Sequence, residues 1–373
     1  MIDSIIERKK CILSDNINLR HLYTFKKFPI YCGCVTDDYS KDLFCDMSWD
    51  ESVNTGIVQL KHLIPLELLY YKNHNPGSVG KTWRQHHKNF STFIKKSHYE
   101  SILEIGGSTG NLFNNFIDEP KNFNWVVLEP SSVFKSDDKR VTVIKEFFED
   151  YDCSSEKFDT IIHSHVLEHV YDPIKFVKKV SDSLDVGGNQ YISIPNMEHW
   201  LKSGYTNTLF FEHTYYIDID ILEFILNKNN FIIDEIYKDN HSIFVKSVKV
   251  ENTNIKKTYF QNPKRIFLKY IDNLISDVNQ INSKITNNDE IFLFGAHIFS
   301  QTLLSLGLNG RVINILDNDK QKQDKRLYGT ELIVKSPEML YNYSNPKVIL
   351  RTGAYTSEIK KQLLSINSNI EFY

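Results

Sequence analysis

The sequence predicts an α/β protein whose centre is a parallel sheet covered by helices on both faces. From Thr82 to about Lys246, apolar strand-like runs alternate with amphipathic helical stretches, which is the pattern of such a sheet. The strand-like runs are Ser101–Ile105, Trp125–Glu129, Val141–Ile144, Phe158–His163, Gln190–Ile194 and Ser242–Val245. The same alternation restarts towards the end of the chain, so a second, smaller unit of this kind is expected there.

The chain divides into three regions that differ in the pattern of apolar and polar residues. We predict domains at residues 1–75, 76–250 and 251–373. The first holds short β-like runs such as His21–Phe25 and Phe28–Cys32, broken by Asp, Asn and Gly. The third begins with a long helical stretch from Asn262 to Ile285. Its further predicted elements are strands at 291–296, 312–316 and 348–350 and a helix at 297–306.

Composition narrows the class of protein. Of 373 residues, 41% are hydrophobic and 24% charged, as is usual for a globular chain. The formal net charge of −3 gives no field that would attract nucleic acid. The sequence shows neither an apolar run of membrane-spanning length nor a signal-peptide core, so we expect a cytoplasmic protein without membrane contact. Five cysteines are too few for a disulfide scaffold.

The most informative stretch is the glycine-rich turn that follows the first strand of the central region. Glu104, Gly106 and Gly110 form acidic-x-Gly-x-x-x-Gly, which is not the Gly-x-Gly-x-x-Gly of dinucleotide sites. We expect a helix after the turn, whose first N–H groups would be free to bind a ligand. The strand-tip carboxylate suits a cation, and Glu129 at the next strand tip is placed to accept ribose hydroxyls.

These residues resemble motif I of class I S-adenosylmethionine (SAM) methyltransferases. The resemblance implies SAM as the cofactor, with adenine near the end of the third strand. There, Phe147 or Phe148 is expected to pack on the ring and Glu149 or Asp150 to accept from its amine. The alternative is a glycine turn in some other α/β domain. The expected cofactor-binding residues are Glu104, Gly106, Gly107, Gly110, Asn111, Glu129, Phe148, Glu149 and His165.

Three polar residues follow the fourth strand, just before Pro173 opens the next helix. His165, Glu168 and His169 resemble the "N/H-V-L-E-H" segment after strand four of many SAM methyltransferases. This position faces the methyl donor in that fold, so contacts to donor and acceptor are expected. The spacing of His165 and His169 is also compatible with metal ligation, but no His-Glu-x-x-His motif or cysteine pair accompanies it. We therefore predict no metal here.

A second acid–base pair, Glu212 and His213, lies among aromatic residues. A carboxylate beside an imidazole can orient and polarise it, and aromatic neighbours exclude water, so the pair is a candidate general base. The alternative interpretation is a buried histidine at the start of a helix.

Taken in order, the motifs are similar to those of three-part sugar C-methyltransferases acting on nucleotide-linked deoxysugars. The resemblance implies a small zinc-binding N-terminal module, a class I SAM methyltransferase core of Rossmann-like fold and a second, C-terminal Rossmann-like domain. It also implies a role in glycan or capsule precursor synthesis, with His169, Glu212 and His213 as acid–base residues. The segments that carry it are Thr55–Leu60, Thr82–His87, Phe211–Tyr215, Phe294–Ala296, Asp317–Asn318, Gly329–Thr330 and Ser336–Pro337.

The sequence departs from that family at its zinc site. The two Cys-x-x-Cys pairs of the family correspond to Cys11 with Ser14 and to Ser52 with Thr55. Neutral hydroxyls are poor zinc ligands beside thiolates, so we predict a metal-free module. A rewired site that joins Cys11 to Cys32, Cys34 and Cys45 is the alternative.

The acceptor side departs as well. Phe210 stands where the family tends to have tyrosine, so Tyr215 or Tyr216 could supply the missing hydroxyl, or Glu212 and His213 could act alone. The segment His74–Ser78 also lacks the expected tyrosine.

These departures leave rival functions open. One is an O-methyltransferase on the same substrate class, and another is a non-catalytic sugar-nucleotide binding protein. In the C-terminal unit, Gly295 is the single glycine where NAD binding wants three, so a structural or lid role is expected. The sugar, the methylated atom and the oligomeric state are not determined by the sequence.

Overall fold

The computed structural model describes residues 5–69, 80–120, 122–153, 157–255, 257–286, 289–308 and 311–373. Within them, the predicted alternation of strands and helices is confirmed, and the central region forms one seven-stranded sheet. No helix in this described part of the chain is long and apolar enough to cross a bilayer.

The N-terminal region is built from short antiparallel sheets. Strand β2 runs continuously where the sequence suggested two runs, because register shifts at His21/Tyr23 and Phe25/Phe28 absorb the irregular pattern. A three-stranded sheet has the order β2-β4-β5, and β1 pairs with β6. The elements are β1 (Ile6–Glu7), β2 (Leu19–Pro29), β3 (Cys34–Val35), β4 (Phe44–Ser52), β5 (Val58–Leu60), β6 (His62–Leu63) and α1 (Leu66–Leu69).

The central region holds the sheet that positions the site. Its elements are α2 (Lys81–Ile94), β7 (Ser101–Ile105), β8 (Asn124–Leu128), β9 (Val141–Ile144), β10 (Phe158–Ser164), α3 (Pro173–Asp182), β11 (Leu184–Pro195), α4 (Met197–Lys202), α5 (Ile219–Asn227), β12 (Phe231–Lys238) and β13 (Ser242–Lys249). The strand order is β12-β13-β11-β10-β7-β8-β9. Strand β13 is antiparallel to both its neighbours, and the remaining pairs are parallel.

This topology brings distant residues to one edge of the sheet. The carboxyl ends of β7, β8, β10 and β11 meet there, where open α/β sheets bind ligands. Because β13 runs the opposite way, its first residue, Ser242, lies beside Pro195 at the end of β11. The turn before β13 therefore joins the same edge.

The structure corrects one element and adds another. The helix expected after the glycine turn is instead a run of turns with a 3-10 segment at Phe113–Asn115. Three asparagines in five residues and Pro120 leave too little helix-forming sequence between the strands. The sequence analysis also missed β12, whose alternation is broken by a register shift between Ile233 and Glu235.

The C-terminal region forms a five-stranded parallel sheet of order β17-β15-β14-β18-β19. Strand β16 instead pairs with β3 of the N-terminal region, so the first and last parts of the chain share a small sheet. The elements are α6 (Asn262–Lys284), β14 (Glu290–Phe294), α7 (Ile298–Ser305), β15 (Arg311–Leu316), β16 (Arg326–Leu327), β17 (Val334–Lys335), β18 (Lys347–Leu350), α8 (Thr356–Ile366) and β19 (Glu371–Phe372).

Candidate active site

The glycine turn lies at the carboxyl end of β7, in the centre of the sheet. Gly106 has φ +78° and donates its N–H to the Leu128 carbonyl at 2.9 Å, which ties the turn to β8. A Cβ added at Gly107 would lie 2.5 Å from Val127 Cγ1 and 3.2 Å from Glu104 Cδ. A side chain at position 107 would therefore clash with the residues beneath the turn, so glycine is required there.

Glu129 is held at the predicted ribose position. Its carboxylate accepts the backbone N–H of Ser108 at 3.1 Å and that of Ser131 at 3.1 Å. Ser108 has the left-handed φ of +47°, which turns its N–H towards the next strand. The half-buried carboxylate thus bridges two loops beside the turn.

Glu104 lies beneath the same turn and is almost fully buried. Burial raises the pKa of its carboxyl to about 7, against the hydrogen bond from Trp125 Nε1 at 2.8 Å that lowers it. A cationic group at the turn would favour the ionised form, as expected for the amino group of a methionine moiety.

Two residues predicted to contact the cofactor lie against aromatic rings. Gly110 has φ +74°, but the ring of Phe134 fills the space beside it, with Cδ2 2.3 Å from the place of a Cβ. Phe148 is only 3% exposed and packs edge-on against Phe176, whereas Phe147 is 41% exposed. Phe148 is therefore a core residue, and Phe147 is the aromatic ring at this strand end that a ligand could reach.

Two further residues predicted to bind the cofactor, Asn111 and Glu149, are at least partly exposed. Asn111 is half-buried at the end of the glycine turn, and its carbonyl accepts from the Asn115 side chain at 2.9 Å. Glu149 is exposed beyond β9, and its carbonyl accepts from Lys179 Nζ at 2.8 Å. Their contacts to SAM remain predictions.

The predicted acid–base residues meet in one cluster after β10. His169 lies between two carboxylates, with Nε2 3.8 Å from Glu168 Oε1 and Nδ1 3.9 Å from Glu212 Oε2. The rings of His169 and His213 are 5.1 Å apart between centroids. Glu168, Glu212 and His213 are buried, while 23% of the His169 side chain is exposed, so His169 is the most accessible member.

Burial sets the protonation of this cluster. It raises the pKa of Glu212 to about 8 and that of Glu168 to about 7. Burial lowers the pKa of His213, although Glu168 opposes that shift. Near neutral pH, protons are therefore held mainly on the carboxyls, from which a small shift can release them.

The main chain, rather than Glu212, fixes the tautomer of His213. Its Nδ1 donates to the Thr208 carbonyl at 2.7 Å, which leaves Nε2 as the proton acceptor. The backbone N–H of Thr214 donates to the Glu168 carbonyl at 3.0 Å, so the two predicted motifs are joined directly.

The aromatic neighbours take structural positions. Phe210 packs on His213 with 4.3 Å between ring centroids. Tyr215, proposed as a substitute base, is fully buried and donates its hydroxyl to the Leu167 carbonyl at 2.8 Å. Its pKa is raised well above the ordinary value by burial. Tyr215 is therefore a poor base, which leaves the carboxyls and imidazoles. The His74–Ser78 segment lies outside the described residues.

The N-terminal zinc positions do not fit zinc. Cys11 Sγ and Thr55 Oγ1 lie 3.3 Å apart and share a hydrogen bond, so the positions do come together. The Ser14 and Ser52 hydroxyls are buried without a hydrogen-bond partner. One thiol with three neutral hydroxyls is a weak donor set for Zn²⁺. Within the described ranges, no cysteine joins a group of three candidate metal ligands, so the rewired site finds no support.

Three residues with polar side chains near His165 were given no role in the sequence analysis. His86 on α2, His241 in the turn before β13 and Ser242 at its start surround His165. They lie far apart in the sequence, and only the antiparallel position of β13 brings them together. The signal available in the sequence was the His86-His87 pair within the helix before the glycine turn.

Comparison with known proteins agrees with this geometry. Residues 75–236 match the family described as "Methyltransferase domain". Residues 75–236 therefore form a methyltransferase domain. The match covers the central sheet up to β12, and it favours an enzyme over the non-catalytic binding protein considered above. No curated protein matches the chain at a significant level.

Several solved structures are similar to part of this methyltransferase. One is an S-adenosylmethionine-dependent methyltransferase from Clostridium acetobutylicum, at 13% identity and TM-score 0.35, covering 50% of this chain and 98% of that one. The plantazolicin methyltransferase BpumL in complex with SAH has 12% identity and TM-score 0.38, covering 45% and 84%. The YcgJ protein from Bacillus subtilis has 12% identity and TM-score 0.37, covering 45% and 100%.

Proposed function

We propose that this methyltransferase acts on a carbon atom of a nucleotide-linked keto sugar. The observation that carries the proposal is the cluster of four protonatable side chains, Glu168, His169, Glu212 and His213, after β10. SAM, when bound at the glycine turn, supplies an electrophilic methyl group and leaves as the thioether S-adenosylhomocysteine. The remaining task of the protein is to make a nucleophile from the acceptor.

A carbon nucleophile explains why so many protonatable groups meet. A hydroxyl group needs one base, whereas a carbon next to a carbonyl needs a base for its hydrogen and a donor for the enolate oxygen. Glu212, with its pKa raised to about 8, is a stronger base once ionised than an exposed carboxylate. His213 offers its free Nε2 beside it.

The roles follow from accessibility and tautomer. Glu212 and His213 would take the proton from the carbon, and the electron pair of the broken C–H bond would form the enolate. His169, the most accessible member, would donate to the enolate oxygen. When that carbon takes the methyl group, the carbonyl re-forms, and the abstracted proton passes to solvent.

The acceptor class is supported by resemblance to sugar C-methyltransferases. The glycine turn, the acid–base motif and the C-terminal unit follow one another along the chain, in the order that this resemblance implies. We therefore assign His169, Glu212 and His213 as its acid–base residues here, and a role in making glycan or capsule precursors.

A panel of substrates tests the proposal. The enzyme is incubated with SAM and either keto or non-keto nucleotide sugars, and products are identified by mass and by the NMR shift of the new methyl group. We expect a C-methyl product from keto sugars alone. An O-methyl product from non-keto sugars would instead establish the rival O-methyltransferase, which the missing hydroxyl at Phe210 favours.

A further inference from the structure

A second histidine cluster adjoins the first at Glu168, whose Oε1 lies 3.3 Å from His165 Nδ1 and 3.8 Å from His169 Nε2. Three imidazole nitrogens surround the Ser242 hydroxyl: His86 Nδ1 at 3.1 Å, His165 Nε2 at 3.0 Å and His241 Nδ1 at 2.7 Å. Candidate ligand atoms of these three histidines lie within 4.8 Å of one another. They come from α2, the loop after β10 and the turn before β13, so the fold assembles them from three elements.

We propose that His86, His165 and His241 bind a divalent first-row transition metal ion such as Zn²⁺. Three imidazoles are a ligand set known for zinc sites that keep one coordination position open. That position would take water or an oxygen of the acceptor. The proposal runs against the absence of metal expected from sequence spacing, because that expectation considered His165 and His169 alone.

The partners of the opposite ring nitrogens support the site. A metal-binding histidine usually directs its other nitrogen to a carboxylate, a carbonyl or water, which fixes the ring. His165 Nδ1 lies 3.3 Å from Glu168 Oε1, while its Nε2 points into the cluster. His86 Nε2 similarly meets the Ser164 hydroxyl at 3.0 Å. Each ring is thus oriented by a contact at the nitrogen that faces away from Ser242.

The rings are also held in place by packing. Trp83 packs edge-on against His165 and His241, with 4.9 Å between centroids in each case. His165 has the left-handed φ of +53°, and its Nε2 faces the Ser242 hydroxyl at 3.0 Å.

Ser242 defines the movement that binding requires. Zn–N bonds are about 2.0–2.1 Å, whereas the three nitrogens now lie 2.7–3.1 Å from the hydroxyl. The ion would take the central place, and the hydroxyl would rotate away or become the fourth ligand. If the cluster were only a hydrogen-bonded network, the hydroxyl would instead be its indispensable centre.

A metal site and a hydrogen-bonded network therefore respond differently to loss of the Ser242 hydroxyl, and metal titration of variants distinguishes them. The purified full-length protein is stripped with chelator and titrated with Zn²⁺ and with Co²⁺, with metal content measured by elemental analysis and Co²⁺ followed by its visible ligand-field absorption. We expect one ion per chain and a tetrahedral Co²⁺ spectrum. Binding should survive Ser242→Ala and weaken at least about 100-fold in His241→Ala and in the milder His241→Asn. Glu168→Gln should weaken it about 10–100-fold through His165.

His213→Ala is the matched control, because His213 belongs to the other candidate ligand group, with Glu168 and His169. Metal binding in this variant should equal that of the wild type. Circular dichroism and thermal melting confirm that each variant is folded. The proposal is overturned if the folded wild type takes up no Co²⁺, or if His213→Ala loses the ion while His241→Ala retains it.

Discussion

The ionisation of Glu212 falls within the ordinary working pH range because burial raises its pKa to about 8. As a base it must be ionised, so activity should rise as pH increases through about 8. Glu212→Gln should remove this limb and lower kcat by about 100-fold or more. Initial rates across pH measure both effects, with the exposed Glu223→Gln of α5 as control. An unchanged pH profile in Glu212→Gln would exclude Glu212 as the base.

The same raised pKa has a consequence for stability. The folded state favours protonated Glu212, so this stabilisation is complete below the ordinary value of 4.5 and is lost as pH rises through about 8. Glu212→Gln resembles the protonated form, so its melting temperature should fall less than that of the wild type between these limits. Thermal melts at several pH values measure the difference, and parallel curves for the two proteins would contradict it.

Glu129 is the residue that we predict to bind the ribose. Glu129→Ala should weaken S-adenosylhomocysteine binding about 10–100-fold, because charge-assisted hydrogen bonds are lost. Glu129→Gln keeps one carbonyl acceptor and should lose less. Isothermal titration calorimetry measures the three affinities. Equal affinities would remove Glu129 from the cofactor site.

For single residues, the sequence indicated which positions could belong to the site, but it did not show which side chains face the core and which face a ligand. Glu104 and Glu129 could be found because each lies next to the last residue of a mostly apolar strand. The choice between Phe147 and Phe148 could not be made, since β9 is a partly exposed edge strand whose pattern does not identify its buried face. The histidine cluster around Ser242 depends on tertiary pairing alone.

Among the elements, the loop that carries His213 is braced by the N-terminal region. The buried Arg8 guanidinium donates to the carbonyls of Thr214 at 2.8 Å, Leu60 at 3.2 Å and Tyr171 at 3.0 Å. It therefore ties the ends of both acid–base motifs to the strand β5. The small N-terminal module thus supports the site without contributing a candidate base.

Arg8→Met tests this brace. Three carbonyls would lose the bond from the guanidinium, although that of Thr214 keeps the Leu60 N–H at 2.9 Å. We therefore expect the free energy of unfolding to fall by about 3 kcal/mol and kcat to fall with it. Urea denaturation and initial rates measure the two changes. The exposed neighbour Lys9→Met is the control and should resemble the wild type. Wild-type stability in Arg8→Met would show that the brace is dispensable.

The sequence predicted the buried elements of the sheet but not its irregular connections. Strands β7, β8 and β10 are short, mostly buried segments with apolar residues at their centres, which the sequence pattern identifies. The segment after β7 buries Leu112, Phe113 and Phe116 without forming a helix, because tertiary packing holds its turns in place. Local propensity cannot show such packing.

For the whole molecule, a buried ion pair joins the first and last regions of the chain. Arg326 makes two hydrogen bonds to Asp42, from Nη1 to Oδ2 at 2.5 Å and from Nη2 to Oδ1 at 2.8 Å. Together with the pairing of β16 with β3, this ion pair joins the N-terminal region to the C-terminal region. The predicted three-part organisation therefore carries a specific link between its outer parts.

Removing one partner of this pair leaves a buried charge. Arg326→Met should lower the free energy of unfolding by about 3–5 kcal/mol, whereas the double variant Asp42→Leu with Arg326→Met should recover much of that loss. Chemical denaturation measures both, with the exposed Lys320→Met as control. If the double variant loses as much free energy of unfolding as the two single variants together, the two residues do not stabilise the fold as a pair.

Glu212 and His213 are proposed to remove a proton from a carbon of the acceptor, with His169 as the donor to the enolate oxygen. The most direct test is NMR of a keto nucleotide sugar incubated in D₂O with enzyme and S-adenosylhomocysteine, so that no methyl group can be transferred. We predict that deuterium enters at the carbon beside the carbonyl with the wild type, and at least about 100-fold more slowly with His213→Ala. Exchange at the uncatalysed rate with the wild type, under conditions where methylation proceeds, would contradict the claim.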